Sequence, residues 1–135
     1  GISLGNSFTK EGIVSFPSIY FDVGSVQINP ANQSKLATIA ILLKNNKFLK
    51  LNVIGHTDKS GSQSNNKELG LKRANAVIDY LVLNFNLSSD QLFATSMGEE
   101  NPLQLDYNFV EDQEQNSIRN NKLYLNRRVD FEIRN

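Results

Sequence analysis

The sequence has no cysteine and no tryptophan, and His56 is its only histidine. Without cysteine, neither a disulfide framework nor a thiolate metal site can form. A single histidine among scattered carboxylates is also a poor set of zinc ligands. We therefore expect the protein to bind no metal and to need no cofactor.

The motifs of the common hydrolases are missing as well. No serine stands in a G-x-S-x-G elbow. A glycosidase-like pair of Asp22 and Asp58 is conceivable, but a neighbouring Arg73 would keep Asp58 ionised rather than let it act as an acid. We expect no enzymatic activity, and we interpret His56 as a loop residue that bonds the backbone.

The sequence has neither an excess of one charge nor a long hydrophobic run. Lys plus Arg and Asp plus Glu both number 14, which argues against nucleic-acid binding through a basic surface. No apolar run reaches the ~18–20 residues that cross a bilayer, so we expect this domain not to enter a membrane. Because the chain begins with Gly1 rather than Met, we expect it to be a piece of a longer protein.

Hydrophobic periodicity predicts alternating strands and helices. In chain order we expect a lead-in over Gly1–Gly12, a β segment Ile13–Phe21, a helix from Asn29-Pro30 to Asn45-Asn46, a strand around Leu49–Ile54, a loop Gly55–Ser64, a helix Asn66–Phe85, a turn Asn86–Asp90, a strand Gln91–Met97, an irregular segment Gly98–Tyr124 and a last strand around Val129–Ile133. This order predicts one α+β domain over residues 13–135, with a mixed sheet and its helices packed on one face.

The apolar residues indicate which side of each helix faces the core. The core positions are expected to be Leu36, Ile39, Ala40 and Leu43 in the first helix, and Ala74, Val77, Ile78, Leu81 and Phe85 in the second. Phe8, Phe16 and Phe48 are expected to pack in the core or against it, because no basic groove accompanies them as in a base-stacking surface.

A group of polar residues stands where the second strand ends. Asp58 lies in the loop, and on the following helix Asn66, Leu69 and Arg73 fall within about 60° of each other at 100° per residue. An aspartate suits an ammonium group, and an arginine can hold a carboxylate through two hydrogen bonds. Spacing alone leaves two alternatives, a site for an amino-acid zwitterion or a structural salt bridge between Asp58 and Arg73.

These residues resemble a known family when they are taken together. The matching segments are Tyr20-Phe21-Asp22, Gly55-His56-Thr57-Asp58, Gly61, Asn66, Leu69, Arg73-Ala74 and Asn126-Arg127-Arg128-Val129. In this order and spacing they resemble the OmpA-like domains of OmpA proteins, peptidoglycan-associated lipoproteins and flagellar stator subunits. The resemblance covers about Ser18 to Ile133 and is densest in GHTD-x2-G-x4-N-x2-L-x3-RA.

The resemblance implies non-covalent binding of peptidoglycan, chiefly of the diaminopimelate residue in its stem peptide. Asp58 would meet the ammonium group of diaminopimelate, Arg73 its carboxylate, and Asp22 would line the site. Such a domain would anchor a larger envelope protein to the cell wall from the periplasm, with the parent protein attached to the outer membrane.

Other members of the motif are assigned supporting parts by the same resemblance. Leu69 would form an apolar floor, while Thr57 and Asn66 would shape the loop and hydrogen-bond the ligand or its water. Asn126 and Arg127 rank as structural first and ligand-facing second, because the preceding segment Asp106–Leu125 is longer than in compact members.

A second function remains open on the same fold. The domain would then be a protein–protein or oligomerisation module whose ligand site has become structural. Asparagine, glutamine and glutamate are frequent in Glu111–Asn121, and we interpret this stretch as a solvated, variable insertion.

Overall fold

The computed structural model describes residues 16–59, 61–100 and 123–134. The elements in chain order are strand β1 (Ile19–Tyr20), helix α1 (Pro30–Asn45), strand β2 (Leu51–His56), helix α2 (Gln63–Phe85), strand β3 (Leu92–Gly98) and strand β4 (Arg128–Ile133), with short 3-10 helices at Ser89–Gln91 and Leu123–Asn126. The predicted lead-in 1–12, the first residues of the segment 13–21, Phe8, and the predicted insertion 111–121 lie outside the described residues.

The four strands form one mixed sheet in the order β1-β4-β2-β3. Strand β4 is antiparallel to both of its neighbours, whereas β3 runs parallel to β2. The buried residues of both helices and of the sheet form a single hydrophobic core. This arrangement confirms the predicted α+β domain with a mixed sheet and helices on one face.

Helix α1 begins where the sequence predicts it. The Asn29 side chain accepts a hydrogen bond from the Asn32 backbone N–H, and Pro30 occupies the first helical position, where no partner for its missing N–H is needed. The predicted core positions on this helix are all buried: Leu36, Ile39, Ala40 and Leu43. In α2, Ala74, Val77 and Leu81 are buried, and Ile78 and Phe85 pack against the same core.

Helix α2 begins earlier than predicted, at Gln63 rather than Asn66. Ser62 is its N-cap and accepts a hydrogen bond from the Asn65 backbone N–H. The polar first turn has the composition of a loop, so hydrophobic periodicity could not detect it. The helix ends at Phe85, and its C-cap Asn86 adopts the left-handed conformation with φ 54°. None of the helices in the described ranges is long and apolar enough to cross a membrane.

A glycine pair lets α2 approach β2 closely. A Cβ atom placed on Gly55 would lie 1.7 Å from the carbonyl oxygen of Gly70, and one on Gly70 would lie 2.3 Å from Oγ of Ser96. Neither position can hold a side chain without moving the helix off the sheet. The contact fixes the distance between the end of β2 and the next turn of α2, which carries Arg73.

The sheet face turned away from the core carries a cluster of polar residues around Asp130. Its carboxylate accepts hydrogen bonds from Ser18 Oγ at 2.6 Å and Arg128 Nε at 2.8 Å, and it lies 3.3 Å from Nε2 of His56. The expectation for His56 was therefore wrong in detail. It is the last residue of β2 and not a loop residue, and its side chain contacts a carboxylate rather than the backbone.

The predicted packing of the phenylalanines holds for one and fails for another. Phe16 is partly buried against the core, and its ring centroid lies 6.1 Å from that of Phe131. Phe48, in contrast, is 97% exposed. Hydrophobicity alone does not bury a residue in a turn between a helix and a strand, where the backbone geometry decides which way the side chain points.

Candidate ligand-binding site

Three segments that are distant in sequence meet at one end of the sheet. They are the loop after β2, which contains Asp58, helix α2, which contains Arg73, and the segment before β4, which contains Arg127. The buried carboxylate and the two guanidinium groups form the centre of the candidate site. The turn after β1, from Asp22 to Ser25, closes one side of it.

Asp58 forms its direct ion pair with Arg127 and not with Arg73. The distance from Arg127 Nη1 to Asp58 Oδ2 is 3.1 Å, and the two side chains are only 16% and 11% exposed. Arg127 Nε also donates to the carbonyl of Phe21 at 2.9 Å, and the Phe21 N–H donates back to the carbonyl of Arg127. From the sequence, Arg127 ranks as structural first and ligand-facing second. The structure places its guanidinium at the centre of the candidate site.

Arg73 is fully buried, at 0% exposure. Its guanidinium donates to three backbone carbonyls: Nε to Ser25 at 3.0 Å, Nη1 to His56 at 3.0 Å and Nη2 to Asp22 at 3.1 Å. It also lies over the ring of Phe21, 5.3 Å from the centroid. These contacts tie α2 to the end of β2 and to the turn after β1.

The charges of the site influence one another through a poorly hydrated environment. Burial lowers the pKa of Arg73 to about 10; the nearby carboxylate of Asp58 opposes this decrease and the charge of Arg127 adds to it. Arg73 therefore stays protonated at neutral pH. Among the described residues, fully buried Arg73 and largely buried Arg127 lie around the largely buried carboxylate of Asp58, so these three groups together carry an excess of positive charge.

The remaining predicted residues surround this centre in different ways. The Asn66 side chain is buried and donates to Glu99 Oε1 at 2.9 Å, and Leu69 is half-buried. The side chain of Asp22 is exposed, although its carbonyl serves Arg73. Asn126 is buried and its Oδ1 accepts from Arg128 Nη1 at 3.4 Å, so among the described contacts it belongs to the neighbouring polar cluster.

Thr57, like its neighbour His56 with Nδ1, has a buried polar atom without a hydrogen-bond partner in the described part of the chain. In Thr57 this atom is Oγ1. Its backbone N–H donates to the carbonyl of Gly98 at 2.8 Å, which fixes the loop beside β3. A buried hydroxyl without a partner is costly unless another group uses it.

Sequence reasoning missed three contributors to the site. It did not find Glu99, which holds Asn66, nor the carbonyls of Ser25 and His56, which hold Arg73. A backbone carbonyl leaves no mark in the sequence. The one available signal for the partner of Asp58 was the pair of adjacent arginines at the start of the last strand, Arg127 and Arg128.

The charged groups of the site suit recognition of a charged ligand. Within residues 16–59, 61–100 and 123–134, no group of three His, Cys, Asp or Glu side chains is placed to hold a metal ion. A carboxylate and two guanidinium groups can exchange their mutual contacts for those of a zwitterion.

Comparison with known proteins identifies relatives of this chain. The sequence model of the OmpA family matches residues 20–117. The chain is 30% identical over 103 residues to the probable lipoprotein YiaD of Escherichia coli, covering 73% of this chain and 47% of that protein. It is 34% identical over 87 residues to outer membrane protein A of Atlantibacter hermannii, covering 63% of this chain and 35% of that protein. The chain thus spans about half the length, or less, of these relatives.

A solved structure shows the same fold. The peptidoglycan-associated lipoprotein from Burkholderia pseudomallei superimposes with a TM-score of 0.71 at 31% identity, over 87% of this chain and 89% of that one. These relatives are lipoproteins and an outer-membrane protein, so the family is one of the cell envelope. The resemblance inferred from the motifs is confirmed: the chain belongs to the OmpA family.

Proposed function

We propose that this domain binds peptidoglycan non-covalently through the diaminopimelate residue of the stem peptide. It would thereby anchor a larger envelope protein to the cell wall from the periplasm. The observation that carries the proposal is the single carboxylate of Asp58 enclosed with the two arginines Arg73 and Arg127. The side-chain end of diaminopimelate bears one ammonium and one carboxylate, the two charges that such a group can receive.

Binding would proceed by exchange of ion-pair partners. The ligand ammonium takes the place of the Arg127 guanidinium on Asp58, and the released Arg127 binds the ligand carboxylate. Arg73 is fully buried, so its contact with the ligand carboxylate would require this end of the domain to open. The excess positive charge of the site favours the ligand carboxylate before any contact forms.

The surrounding residues support the same pose. The hydroxyl of Thr57, which has no partner in the described part of the chain, can donate to a ligand oxygen beside Asp58. Half-buried Leu69 offers the ligand methylenes an apolar surface, and exposed Asp22 lies at the rim. Asn66, held by Glu99, keeps the start of α2 in place beside the loop.

One observation favours the alternative of an oligomerisation module with a structural polar cluster. Arg73 is saturated with backbone carbonyls and inaccessible, as a purely architectural arginine would be. The two functions differ in what happens to Asp58. In the alternative, replacement of Asp58 changes stability or self-association, and neither the parent nor the variant binds the ligand.

Titration of the domain with a diaminopimelate-containing stem tripeptide tests the proposal. The Asp58→Asn variant should bind about 10- to 100-fold more weakly, since it removes a charge-assisted contact of ~1.5–3 kcal/mol. A matched tripeptide with lysine in place of diaminopimelate retains the ammonium but lacks the carboxylate, and should also bind more weakly. Asp79→Asn, on the exposed side of α2, is the control and should bind as the parent does.

Three results would contradict this assignment. One is equal binding of both tripeptides, because recognition by the arginines then contributes nothing. Another is undiminished affinity of Asp58→Asn. The third is the release of soluble muropeptides from purified sacculi by the domain, which would replace binding with hydrolysis.

A further inference from the structure

The turn between α1 and β2 presents an aromatic side chain to solvent. Phe48 is 97% exposed, more than any other large apolar side chain of the described residues. Lys44, Lys47 and Lys50 line the same surface depression as Phe48. We call these four residues the Phe48 tip.

The backbone of the tip is fixed by a buried glutamine. Nε2 of Gln91 lies within hydrogen-bond distance of the carbonyls of Leu43 at 3.2 Å, Asn46 at 2.9 Å and Leu49 at 3.0 Å. Asn46 Nδ2 donates to the carbonyl of Leu42 at 2.8 Å, which continues the end of α1. Phe48 therefore projects from an ordered turn, and its exposure follows from the fold.

The lysines of the tip have no carboxylate partner within the described ranges, in contrast to others of this chain. Lys67 pairs with Glu100, and Lys72 with Glu68. Arg134 adds a fourth cation near Lys50, because its guanidinium lies 4.0 Å from the centroid of the Phe93 ring and Lys50 Nζ lies 5.9 Å from the same centroid. Only one acidic residue, Asp90, lines the depression. A chain of zero net charge thus concentrates positive charge here.

We propose that the Phe48 tip docks on an anionic phospholipid surface, with the ring of Phe48 inserted among the headgroups. A projecting aromatic residue surrounded by lysines complements a fluid surface that carries dispersed negative charge. The lysines need no fixed partner geometry there: Lys50 lies over the ring of Phe93, 5.9 Å from its centroid, and within the described ranges none of the three pairs with a carboxylate. An apolar protein groove would instead leave these cations to be desolvated without compensation.

The location of the tip is compatible with simultaneous use of the Asp58 site. The tip precedes the first residue of β2, whereas Asp58 follows its last. A strand of six residues separates them by about 20 Å. The domain can therefore touch a lipid surface at one end while it holds another ligand at the opposite end, and the lipid proposal does not depend on what Asp58 binds.

Flotation with lipid vesicles tests this proposal. The domain should bind vesicles that contain phosphatidylglycerol and not vesicles of phosphatidylcholine alone, and the binding should weaken with salt. Replacement of Lys44, Lys47 and Lys50 together by serine should lower the partition coefficient about 100-fold, at about fivefold for each lysine. Phe48→Ser should lower it about tenfold through the lost apolar burial.

Matched variants separate the tip from general surface effects. Leu83→Ser removes an exposed apolar residue of α2 that does not line the depression, and replacement of Lys67 and Lys72 by serine removes two cations elsewhere; both should leave the partition coefficient unchanged. Equal binding to phosphatidylcholine, or an unchanged partition coefficient of Phe48→Ser, would overturn the proposal. A concentration-dependent dimer of the parent that Phe48→Ser abolishes would assign the tip to a second copy and overturn it as well.

Discussion

Two partly buried aspartates organise the two polar regions of this domain in opposite ways. Asp130 lies on the open face of the sheet, with donors from the residue before β1, from β2 and from β4: Ser18, His56 and Arg128. Asp58 lies in the loop after the end of β2, and its direct ion pair joins it to Arg127, 69 positions along the chain. The carboxylate of Asp130 accepts hydrogen bonds from residues in or next to the strands, whereas that of Asp58 links the loop after β2 to the segment before β4.

The difference indicates which cluster can change partners. Around Asp130 the charges are locally matched, since one arginine lies two residues from the carboxylate on the same strand. Around Asp58 two arginines share one carboxylate. A cluster with a surplus of charge gains from a further anionic group, and one that is matched loses by it. The contrast favours Asp58 as the ligand site and Asp130 as a structural tie.

The largest expected effect in this comparison belongs to Arg73→Ala. The change removes the donor of three backbone carbonyls, those of Asp22, Ser25 and buried His56, and empties a fully buried side-chain position. We expect the free energy of unfolding to fall by about 3 kcal/mol or more, measured by urea denaturation. Lys72→Ala, which alters the exposed neighbour, is the control and should change little. A loss below about 1 kcal/mol would contradict the architectural role given to Arg73.

The next effect is the pH dependence of stability that Asp130 contributes. Burial by itself would raise the pKa of this carboxyl, but hydrogen bonds from His56, Ser18 and Arg128 outweigh burial and lower it to about 2 from 3.8. Because the pKa is lower in the folded state, the ionised carboxylate stabilises the fold above pH 3.8, by about 2 kcal/mol. That contribution is lost as the pH falls through about 2.

Urea denaturation between pH 5 and pH 2 measures this contribution. In Asp130→Asn the free energy of unfolding should be lower at pH 5 and should change less over this interval than in the parent. Asp79→Asn, on the exposed side of α2, should keep the parent's slope. Parallel curves for Asp130→Asn and the parent would show that the ionised carboxylate does not stabilise this cluster.

The smallest expected effect comes from Ser18→Ala. It removes one hydrogen bond to the ionised Asp130, at 2.6 Å, and should cost about 1 kcal/mol. The pKa of Asp130 should rise, which carboxyl NMR titration detects, while stem-peptide binding at the Asp58 site stays unchanged. A change in stem-peptide affinity would show that the two clusters are coupled through β2, contrary to the contrast drawn between them.

The sequence predicted the elements whose signals are local. Asn29 and Pro30 cap and begin α1 within a few positions, and the apolar stripe behind them spans one helix face. The motif around Asp58 and Arg73 also has fixed short spacing, so both residues could be named as a site. The predicted start of α2, Asn66, differs from the observed start, Gln63, by three residues.

What the sequence did not reveal depends on contacts across the chain. The Asp58–Arg127 pair joins residues 69 apart, and their approach is set by the position of β4 in the sheet. The guanidinium of Arg73 donates to backbone carbonyls, whose positions follow only from the fold. Phe48 was expected to pack because it is apolar, but the turn directs it outward.

The position of β4 has a consequence for how the chain reaches its folded state. This strand is the last of the described elements, yet it lies between β1 and β2 in the sheet. The unit β2-α2-β3 can pair early through contacts that are close in sequence, whereas β1 has no neighbour until β4 arrives. Closing such a long loop costs entropy before any contact compensates it. We therefore expect the Asp58–Arg127 pair to form late, so that the candidate site is completed after β2-α2-β3 has paired.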